Sequence, residues 1–415
     1  MGHLGNRNYG RMAQRLGQYV PGAFVSETLV EILKQLVDED QARLCSLMPL
    51  RTAPLEKLAS LWEMTDEEAQ EALDGLCSAG MVFAFDEDGE INYALAPPVL
   101  GFVEFSLMRT DGRLDSKKLS ELYFQYCQVE GDFIKQQGEA VPALSRIYPH
   151  EDVLEGLTSE VLTHDRVSAG IDSATFITTG MCYCRHKMEH LGEACDAPMD
   201  VCLTFNDVAK HLAEQGIARE ISKEEAHGII KECMDHGLMQ IGDNTRSGLA
   251  IICNCCGCCC DLLLGYKRFG STGFFNPSAF IATIASESCT GDGICVERCP
   301  ADCISGDDGE IPKIDLERCL GCGICARFCP TEACHMEARA ERPYVPEDFI
   351  EKTFLAAIDA GKLGNYLFDD QTSRVHAVLR RATNLVISVQ TVKRLMLSKP
   401  VRTAMLRVIR SSNPV

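Results

Sequence analysis

The sequence predicts an α+β protein in which helices predominate, and three observations support this fold class. Apolar residues recur at helical spacing near both ends of the chain, for instance at Leu29, Ile32 and Leu36. Short apolar runs on either side of an Asp- and Gly-containing turn, such as residues 86–89, predict hairpins. Twenty of the 23 cysteines lie between residues 182 and 334. We therefore expect a cysteine-rich middle between a helical head and a helical tail.

The composition favours a folded protein with metal sites over several other classes. The chain has 415 residues and 46% hydrophobic content, enough for two to four packed domains. A net charge of −20 argues against nucleic-acid binding through overall positive charge. The amino terminus has no apolar run typical of an export signal, and no stretch approaches the ~18 consecutive apolar residues of a spanning helix, so we expect a cytoplasmic protein without a transmembrane segment. Thiols stay reduced in the cytoplasm, so metal ligation explains the cysteines better than disulfides do.

The head is predicted to contain three helices followed by a hairpin. The helices fall at Val25–Val37, Leu55–Leu61 and Ala69–Cys77, and the strands at Met81–Phe85 and Ile91–Leu95. Thr65 and Glu68 form a capping box before the third helix, and Gly80 is a plausible stop after it. This succession resembles the winged helix-turn-helix fold over about 80 residues, so we assign residues 1–110 to a winged-helix-like domain. The acidic third helix favours docking or dimerisation over DNA binding.

A second helical unit echoes the head. The segment Ile221–Ala226, followed by Gly237, repeats the pattern of Met64–Ala69, followed by Gly80, at the same spacing. Ser222 and Glu225 again suggest a capping box. We therefore expect a shorter helix-turn-helix unit at 203–245, between two groups of cysteines, and a helical linker region at 111–180.

Two related cysteine runs lie thirty residues apart. The second is C-x-x-C-x-x-C-x-x-x-C-P, with its thiols at Cys319, Cys322, Cys325 and Cys329. The first has the same spacing, with Cys289, Asp292, Cys295 and Cys299. The runs resemble the two-cluster bacterial ferredoxin family, and we assign residues 284–340 to such a module.

The resemblance implies two iron–sulfur clusters with crossed ligands. In this family the fourth cysteine of each run binds the cluster of the other run. One cluster would take Cys319, Cys322, Cys325 and Cys299, and the other Cys289, Cys295 and Cys329, with Asp292 as a candidate fourth ligand. A carboxylate is a harder ligand than a thiolate, so the second cluster is expected to be an Asp-ligated [4Fe-4S] or a [3Fe-4S] centre. The alternative is that Asp292 faces solvent and Cys303 takes its place; otherwise Cys303 and Cys334 pack beside the clusters.

A second cysteine system occupies residues 181–283. Ten cysteines are candidate ligands there: Cys182, Cys184, Cys195, Cys202, Cys253, Cys255, Cys256, Cys258, Cys259 and Cys260. Their spacing lacks the C-x-x-C knuckles of common zinc sites, so iron–sulfur clusters are preferred. Either each segment holds its own cluster, or the two segments share ligands; a single cluster or a non-cubane cluster remains open. Arg185, His186, Lys187 and His190 are either solvated helix residues or cations beside a cluster.

The tail, residues 341–415, is predicted to be helical and basic. Residues 371–415 contain nine Lys or Arg and no Asp or Glu, so this segment has a charge of +9. The rest of the chain therefore has a charge of −29, and the two add to the net charge of −20. Apolar residues interleave with the cations at helical spacing. Such helices dock on an acidic partner, here including the chain's own body, or lie on an anionic membrane surface.

These features together predict an electron-transfer protein. We find no G-x-G-x-x-G or Walker motif, so no nucleotide or flavin site is expected, and substrate chemistry would belong to a partner. About four clusters, mainly [4Fe-4S], would relay electrons to or from redox protein subunits of an anaerobic oxidoreductase complex. Alternatives are a reductase with substrate chemistry at a site-differentiated cluster, and a redox-sensing winged-helix regulator. A homo-oligomer is compatible with each of these three functions.

Overall fold

The computed structural model describes residues 2–87, 89–154, 157 and 163–412. About 49% of the chain is helix and 14% is strand, which confirms a mixed fold in which helices predominate. The chain divides into two compact units. Unit 1 comprises residues 1–136, 140–142 and 348–415, and unit 2 comprises residues 137–139 and 143–347.

Unit 1 begins with a series of helices and one small sheet. The helices are α1 Gly2–Leu16, α2 Glu27–Leu36, α3 Glu39–Leu47, α4 Leu55–Trp62, α5 Asp66–Ser78, α6 Val103–Met108, α7 Ser116–Phe124 and α8 Asp132–Gln137, with a π-helical turn at Gln125–Glu130. Side-chain caps start several of them: Ser26 accepts from the Leu29 N–H, and Asp38 and Thr65 each form a complete capping box. The predicted helices of the head are present, and α1 and α3 were not predicted.

The sheet of unit 1 has the order β1-β3-β2, all antiparallel. Its strands are β1 Ala53–Pro54, β2 Val82–Glu87 and β3 Glu90–Leu95. In the turn between β2 and β3, Asp86 Oδ1 accepts the Gly89 N–H at 2.8 Å, whereas Asp88 lies outside the described residues. Gly80 has φ +73°, which L side chains rarely adopt, so it ends α5 as expected. The predicted hairpin is therefore present.

Five helices near the carboxyl terminus complete unit 1. They are α16 Phe349–Asp359, α17 Leu363–Leu367, α18 Arg374–Ile387, α19 Gln390–Leu397 and α20 Lys399–Ser412. Phe354, Ile358, Leu363, Ile387 and Leu406 form a buried core among them. The predicted helical tail is thus a small bundle.

Unit 2 is built on a seven-stranded sheet with the order β10-β4-β8-β9-β6-β5-β7. Its strands are β4 Ser145–Tyr148, β5 Ile177–Met181, β6 Asp200–Phe205, β7 Arg219–Glu220, β8 Met239–Asp243, β9 Ile251–Cys255 and β10 Phe275–Asn276. The pairings are antiparallel, except that β10 pairs parallel to β4. The helices of this region are α9 Val167–Ser173, α10 Tyr183–His190, α11 Asn206–Glu214, α12 Lys223–Asp235 and α13 Asp261–Phe269, with short 3₁₀ turns at Glu151–Leu154 and Thr163–Asp165.

The sheet brings the two cysteine-rich segments of unit 2 together. Leu203, Phe205 and Ile252 on its strands pack with Ile171 and Ala226 from the helices in one buried core. The helices α11 and α12 fall where the second helical unit was predicted, but strands that the sequence analysis missed enclose them. Residues 111–180, predicted as a helical linker, contain β4 and most of β5 as well as helices, so this region also contributes strands to the sheet.

The remaining cysteine runs lie among short elements of unit 2. Strand β11 Phe280–Ile284 pairs with β14 Cys334–Ala338, and β12 Ile304–Ser305 pairs with β13 Lys313–Ile314. The second pair lies where a hairpin was predicted. One-turn helices follow the glycines of each run, at α14 Ile294–Glu297 and α15 Ile324–Arg327. Across the described ranges of the chain, no helix is both long and apolar enough to span a bilayer.

Candidate metal centres

The first centre is a tight group of four thiols in unit 2. The sulfur atoms of Cys195, Cys256, Cys258 and Cys259 all lie within 4.8 Å of one another. The Sγ of Cys195 is 3.6 Å from that of Cys256 and 3.9 Å from that of Cys259, and Cys258 and Cys259 are 3.7 Å apart. Cys195 comes from the loop after α10, and the other three from the loop between β9 and α13.

A second group of thiols lies along the sheet and the helix starts beside it. Cys253 and Cys255 alternate along β9 and so face the same side of the sheet. The Cys253 thiol is hydrogen-bonded with that of Cys202. The two are neighbours because Leu203 of β6, next to Cys202, pairs with Ile252 of β9, next to Cys253. Cys260 occupies the N-cap position of α13, and its sulfur is hydrogen-bonded with the thiols of Cys255 and of Cys184 on α10. These five thiols form a chain of contacts.

The remaining candidate, Cys182, occupies the N-cap position of α10 and lies near Cys253 and Cys256. Nine of the ten predicted ligands of the central domain therefore lie next to a ligand from the other segment, and Cys255 contacts Cys253 and Cys260 of its own segment. This placement corresponds to the arrangement in which the two segments share ligands, not to one centre per segment.

Three central thiols favour the thiolate, the form that binds metal. Hydrogen bonds with Cys202 and Cys255 hold the pKa of Cys253 well below its ordinary value. Hydrogen bonding with the Cys259 thiol, together with the Arg185 cation, lowers the pKa of Cys256 to about 4 against the opposing effect of burial. The thiols of Cys184 and Cys255 likewise lower the pKa of Cys260 to about 5.

Arg185 is a fully buried cation between the two thiol groups. Its Nη1 donates to the Asn254 carbonyl at 3.0 Å and lies 3.9 Å from the Cys256 sulfur. Its Nε and Nη2 have no hydrogen-bond partner among the described residues. Unpartnered guanidinium groups are costly when buried, and nearby anionic sulfur would compensate that cost. The thiols of Cys182 and Cys255 also act electrostatically on Arg185, so its surroundings fit a negatively charged metal centre.

Lys187 is also fully buried and forms an ion pair with Asp261. Asp261 directly follows Cys260 in the first turn of α13, so this ion pair ties α10 to α13 beside the thiols. His186 and His190 lie one helical turn apart on α10, with their Nε2 atoms 3.0 Å apart. Arg185, His186 and Lys187 are buried, so these three are not solvated helix residues, whereas His190 is partly exposed.

The thiols of the second ferredoxin-like run line a pocket. Cys319, Cys322 and Cys325 surround it together with Cys299 from the first run. This is the set that the crossed ligand rule predicts for one cluster. Cys303 lines the same pocket, with its Sγ 3.4 Å from that of Cys299. Its thiol also bonds with Cys319 and lowers the pKa of Cys299 to about 7 and that of Cys319 to about 6.

The backbone around this pocket leaves no room for side chains. Gly321 has φ +71°, and a Cβ there would meet the Phe280 carbonyl oxygen; Gly323 has φ +84°, and a Cβ would lie 2.8 Å from Val153. The loop thus requires glycine, as a backbone wrapped around a cluster does. Backbone N–H groups also point at two sulfurs: that of Cys303 at Cys299 (3.4 Å) and that of Cys334 at Cys329 (3.3 Å). The donor set and this cradle fit an iron–sulfur cluster.

The third set contains Cys289, Cys295 and Cys329, and Asp292 lies at the position of the missing cysteine. Burial is the largest cause that raises the pKa of Cys295 to about 11, and the charges of Cys325, Cys329, Asp292 and Cys289 act in the same direction. Asp292 is exposed; its carboxylate accepts from Thr290 Oγ1 at 3.0 Å and from the Ile294 N–H at 3.1 Å. Its side chain thus holds the loop in addition to any role as a ligand.

One side chain at these centres, that of His150, was not singled out by the sequence analysis. His150 is buried. Its backbone N–H donates to the Cys322 carbonyl at 2.9 Å, and its Nε2 lies 2.9 Å from the Leu238 carbonyl oxygen. Burial lowers the pKa of His150 to about 4, so the ring is neutral at pH 7. Only a long-range contact brings His150 here, and no local sequence signal marks it. Cys45, Cys77, Cys127 and Cys233 lie outside these groups of thiols and are buried.

Residues 312–335 match a family of known proteins, the 4Fe-4S binding domain. The matched segment contains Cys319, Cys322, Cys325 and Cys329. No curated protein and no solved structure matches the chain. The chain therefore contains a 4Fe-4S binding segment, and a further group of clustered cysteines lies outside it.

Proposed function

We propose that the chain is an iron–sulfur electron-transfer protein that relays electrons through several clusters to or from a partner oxidoreductase subunit. The observation that carries this proposal is the gathering of thiols from distant segments beside a matched 4Fe-4S binding segment. Two clusters would belong to the ferredoxin-like runs, and the others, up to a total of about four, to the central thiols.

A close contact within unit 2 supports a relay between these regions. Gly257 lies in the loop with Cys256 and Cys258, and a Cβ on Gly257 would lie 2.8 Å from the Pro300 carbonyl oxygen. Pro300 follows Cys299, a predicted ligand of the cluster in the pocket. The same loop joins Cys255 to Cys260, which both belong to the second thiol group. That group therefore lies close to the cluster in the pocket, and a short separation favours electron exchange between the two centres.

The winged-helix-like head is proposed to dock on protein rather than on DNA. Helix α5 buries Ala69, Leu73 and Leu76 and exposes Asp66, Glu67, Glu68, Glu71 and Asp74. Those carboxylates would face the phosphates of a DNA duplex and repel them.

The tail is proposed to rest on an anionic lipid surface. On α18 the apolar residues face outward: Val375, Val378, Leu379, Leu385 and Val386 are all exposed, Leu385 by 74%. The opposite face is held by polar contacts, in which Asn384 accepts from the Gly364 N–H at 2.7 Å and donates to Asn365 at 2.9 Å. An outward apolar stripe needs a cover.

Charge indicates what that cover is. Lys393 and Arg402 pair with Asp359 and Glu351 of α16, whereas Arg374 and Arg381 are exposed beside the stripe. A discrete acidic protein site repels only the carboxylates that face it. An extended anionic surface disfavours every carboxylate near it, and residues 371–415 contain none. Anionic lipid supplies both the charge and a hydrocarbon phase.

A second candidate function is a reductase with substrate chemistry at one cluster. The observation that favours it is the exposed carboxylate of Asp292 in place of a thiol, which would leave one iron replaceable. Added cyanide would then change the EPR spectrum of that cluster at once. A spectrum that cyanide leaves unchanged would favour the electron carrier.

The proposed function is tested by composition and spectroscopy on the full chain purified anaerobically. We expect about four acid-labile sulfides per cluster, four irons per cluster (three for a [3Fe-4S] centre at Asp292), and EPR signals that change on reduction. Reduced protein should pass electrons to an added artificial acceptor. Iron without sulfide, or clusters that no low-potential reductant can reduce, would contradict the proposal.

A further inference from the structure

We propose that Cys195, Cys256, Cys258 and Cys259 bind a single zinc ion rather than an iron–sulfur cluster. The site is independent of electron transfer and lowers the number of central clusters to one. It also revises the preference for iron that the cysteine spacing alone suggested.

The distances between the sulfurs carry this assignment. Zinc–sulfur bonds of ~2.3 Å in a tetrahedron place neighbouring sulfurs about 3.8 Å apart. The three measured separations in this group are 3.6, 3.7 and 3.9 Å, and all four sulfurs lie within 4.8 Å of one another. In a cubane each thiolate binds a different iron, so the width of the cube adds to two metal–sulfur bonds and the thiolates lie much farther apart.

The other thiol groups have a different geometry. Among the described residues, these four form the one group of potential ligands in which every ligand atom lies that close to every other. The thiols from Cys184 to Cys202 form an extended chain of contacts, and Cys299, Cys319, Cys322 and Cys325 are spread around a pocket. Those arrangements leave room for a polynuclear centre.

The chemistry of the donor set favours zinc over ferrous iron. Four thiolates fill a tetrahedral ion completely, as in structural zinc sites, and leave no open position. Sites of this kind bind zinc more tightly than ferrous iron. Zinc with four thiolates has a net charge of −2, and the Arg185 guanidinium, 3.9 Å from the Cys256 sulfur, offsets part of it.

The location gives the ion a structural role. Cys195 lies in residues 191–199, which contain neither helix nor strand. The other three ligands lie in the loop between β9 and α13. A zinc ion would tie the first loop to the second and fix the start of α13, whose cap, Cys260, faces the neighbouring thiol group.

The test uses the full chain, purified anaerobically with its native metals. Elemental analysis should find one zinc per chain in addition to iron, and X-ray absorption at the zinc edge should find four sulfurs at ~2.3 Å. Substitution of the exposed Cys258 (Cys258→Ser) should lower zinc retention at least about tenfold and leave iron, sulfide and the EPR spectrum unchanged. The matched control Cys182→Ser, outside the group of four, should retain zinc.

Several results would overturn the assignment. They are native protein without zinc, zinc with a neighbouring metal in its absorption spectrum, and a Cys258→Ser protein that loses iron and sulfide together. Cobalt(II) exchanged into the wild-type chain provides a check that needs no variant, because a tetrahedral tetrathiolate site gives it intense visible absorption. Failure of the proposed electron transfer would be recognised separately, by missing sulfide in the same sample.

Discussion

At the scale of single residues, Arg185 is the buried charge around which the central thiols are arranged. It lies close to sulfurs of both thiol groups, and two of its nitrogen atoms have no hydrogen-bond partner among the described residues. A cation in this position stabilises thiolates by charge and by donated hydrogen bonds. Removal of the cation would leave buried negative charge uncompensated.

We predict that Arg185→Gln weakens metal retention in the central domain. Loss of a residue that supports metal ligands commonly costs about 10- to 100-fold in metal affinity. Anaerobic competition with a chelator, followed by metal analysis, would measure this effect. Arg219→Gln, which changes an exposed arginine of the same unit, is the matched control and should behave as wild type. Equal metal loss from both variants would show that Arg185 has no special part.

Asp292 is the second residue with a sharp consequence. We predict that Asp292→Cys changes the EPR spectrum of the cluster near Cys289, because a soft thiolate would replace a carboxylate or fill an empty position. The control Asp308→Cys places a thiol at another exposed aspartate of the module and should leave the spectrum unchanged. An unaltered spectrum in Asp292→Cys would mean that Asp292 only holds the loop through Thr290 and Ile294.

At the scale of elements, α18 is a helix whose apolar face is turned outward. Its contacts with α17 run through Asn384, and Ile387 is its buried apolar residue. Because Asn384 and Ile387 already hold the helix on its packing side and the free face is apolar, the helix can bind a further apolar phase without unfolding.

We predict that the full chain binds vesicles containing about 30% anionic lipid and does not bind purely zwitterionic vesicles. The double variant Val378→Asp with Leu385→Asp should reduce binding about tenfold or more, because it removes apolar contact and adds negative charge. Vesicle flotation would measure the bound fraction, and high salt should release the protein. Val129→Asp, at a comparably exposed valine of unit 1, is the control.

The lipid assignment has a clear alternative outcome. If the tail variants leave vesicle binding unchanged, or if anionic vesicles bind no more protein than zwitterionic ones, the stripe does not bind lipid. A protein that co-purifies with the wild-type chain and is lost from the double variant would then identify an acidic partner as the cover.

At the scale of the whole molecule, the two units differ in how they are stabilised. Unit 1 contains buried apolar cores such as that of Phe354, Ile358 and Leu363. Unit 2 also contains an apolar core, and in addition unit 2 contains every predicted metal ligand. Metal binding contributes directly to folding when the unfolded chain has no preformed site.

We therefore predict that removal of metal destabilises unit 2 selectively. Amide hydrogen exchange should speed up in β9 and in the loops of both ferredoxin-like runs, and remain slow in α2, α5 and α16 of unit 1. Exchange followed by mass spectrometry, before and after anaerobic chelation, would measure this contrast. Uniform loss of protection across both units would indicate that the chain unfolds as one.

Much of the architecture was predictable because it depends on local signals. Capping at Ser26 and Thr65, the positive φ at Gly80, and the apolar spacing of α2 and α5 act over a few residues, so the head and its hairpin could be located from sequence. The ferredoxin-like runs were equally accessible, because cluster loops fix the spacing of their cysteines. The strands of the large sheet were not found, because they pair across long stretches of chain and several are too short to show alternation.

The sequence by itself determined which side chains are available for metal and roughly where the helices lie, since composition and short-range spacing encode both. Only the tertiary structure decided which of the ten central thiols lie together, because the pairing of β6 with β9 and the loop after α10 bring together thiols about fifty to sixty residues apart. It also decided that Arg185 and Lys187 are buried and that the apolar face of α18 points outward. Those properties depend on which surfaces meet, and the pattern within one segment does not specify its neighbour.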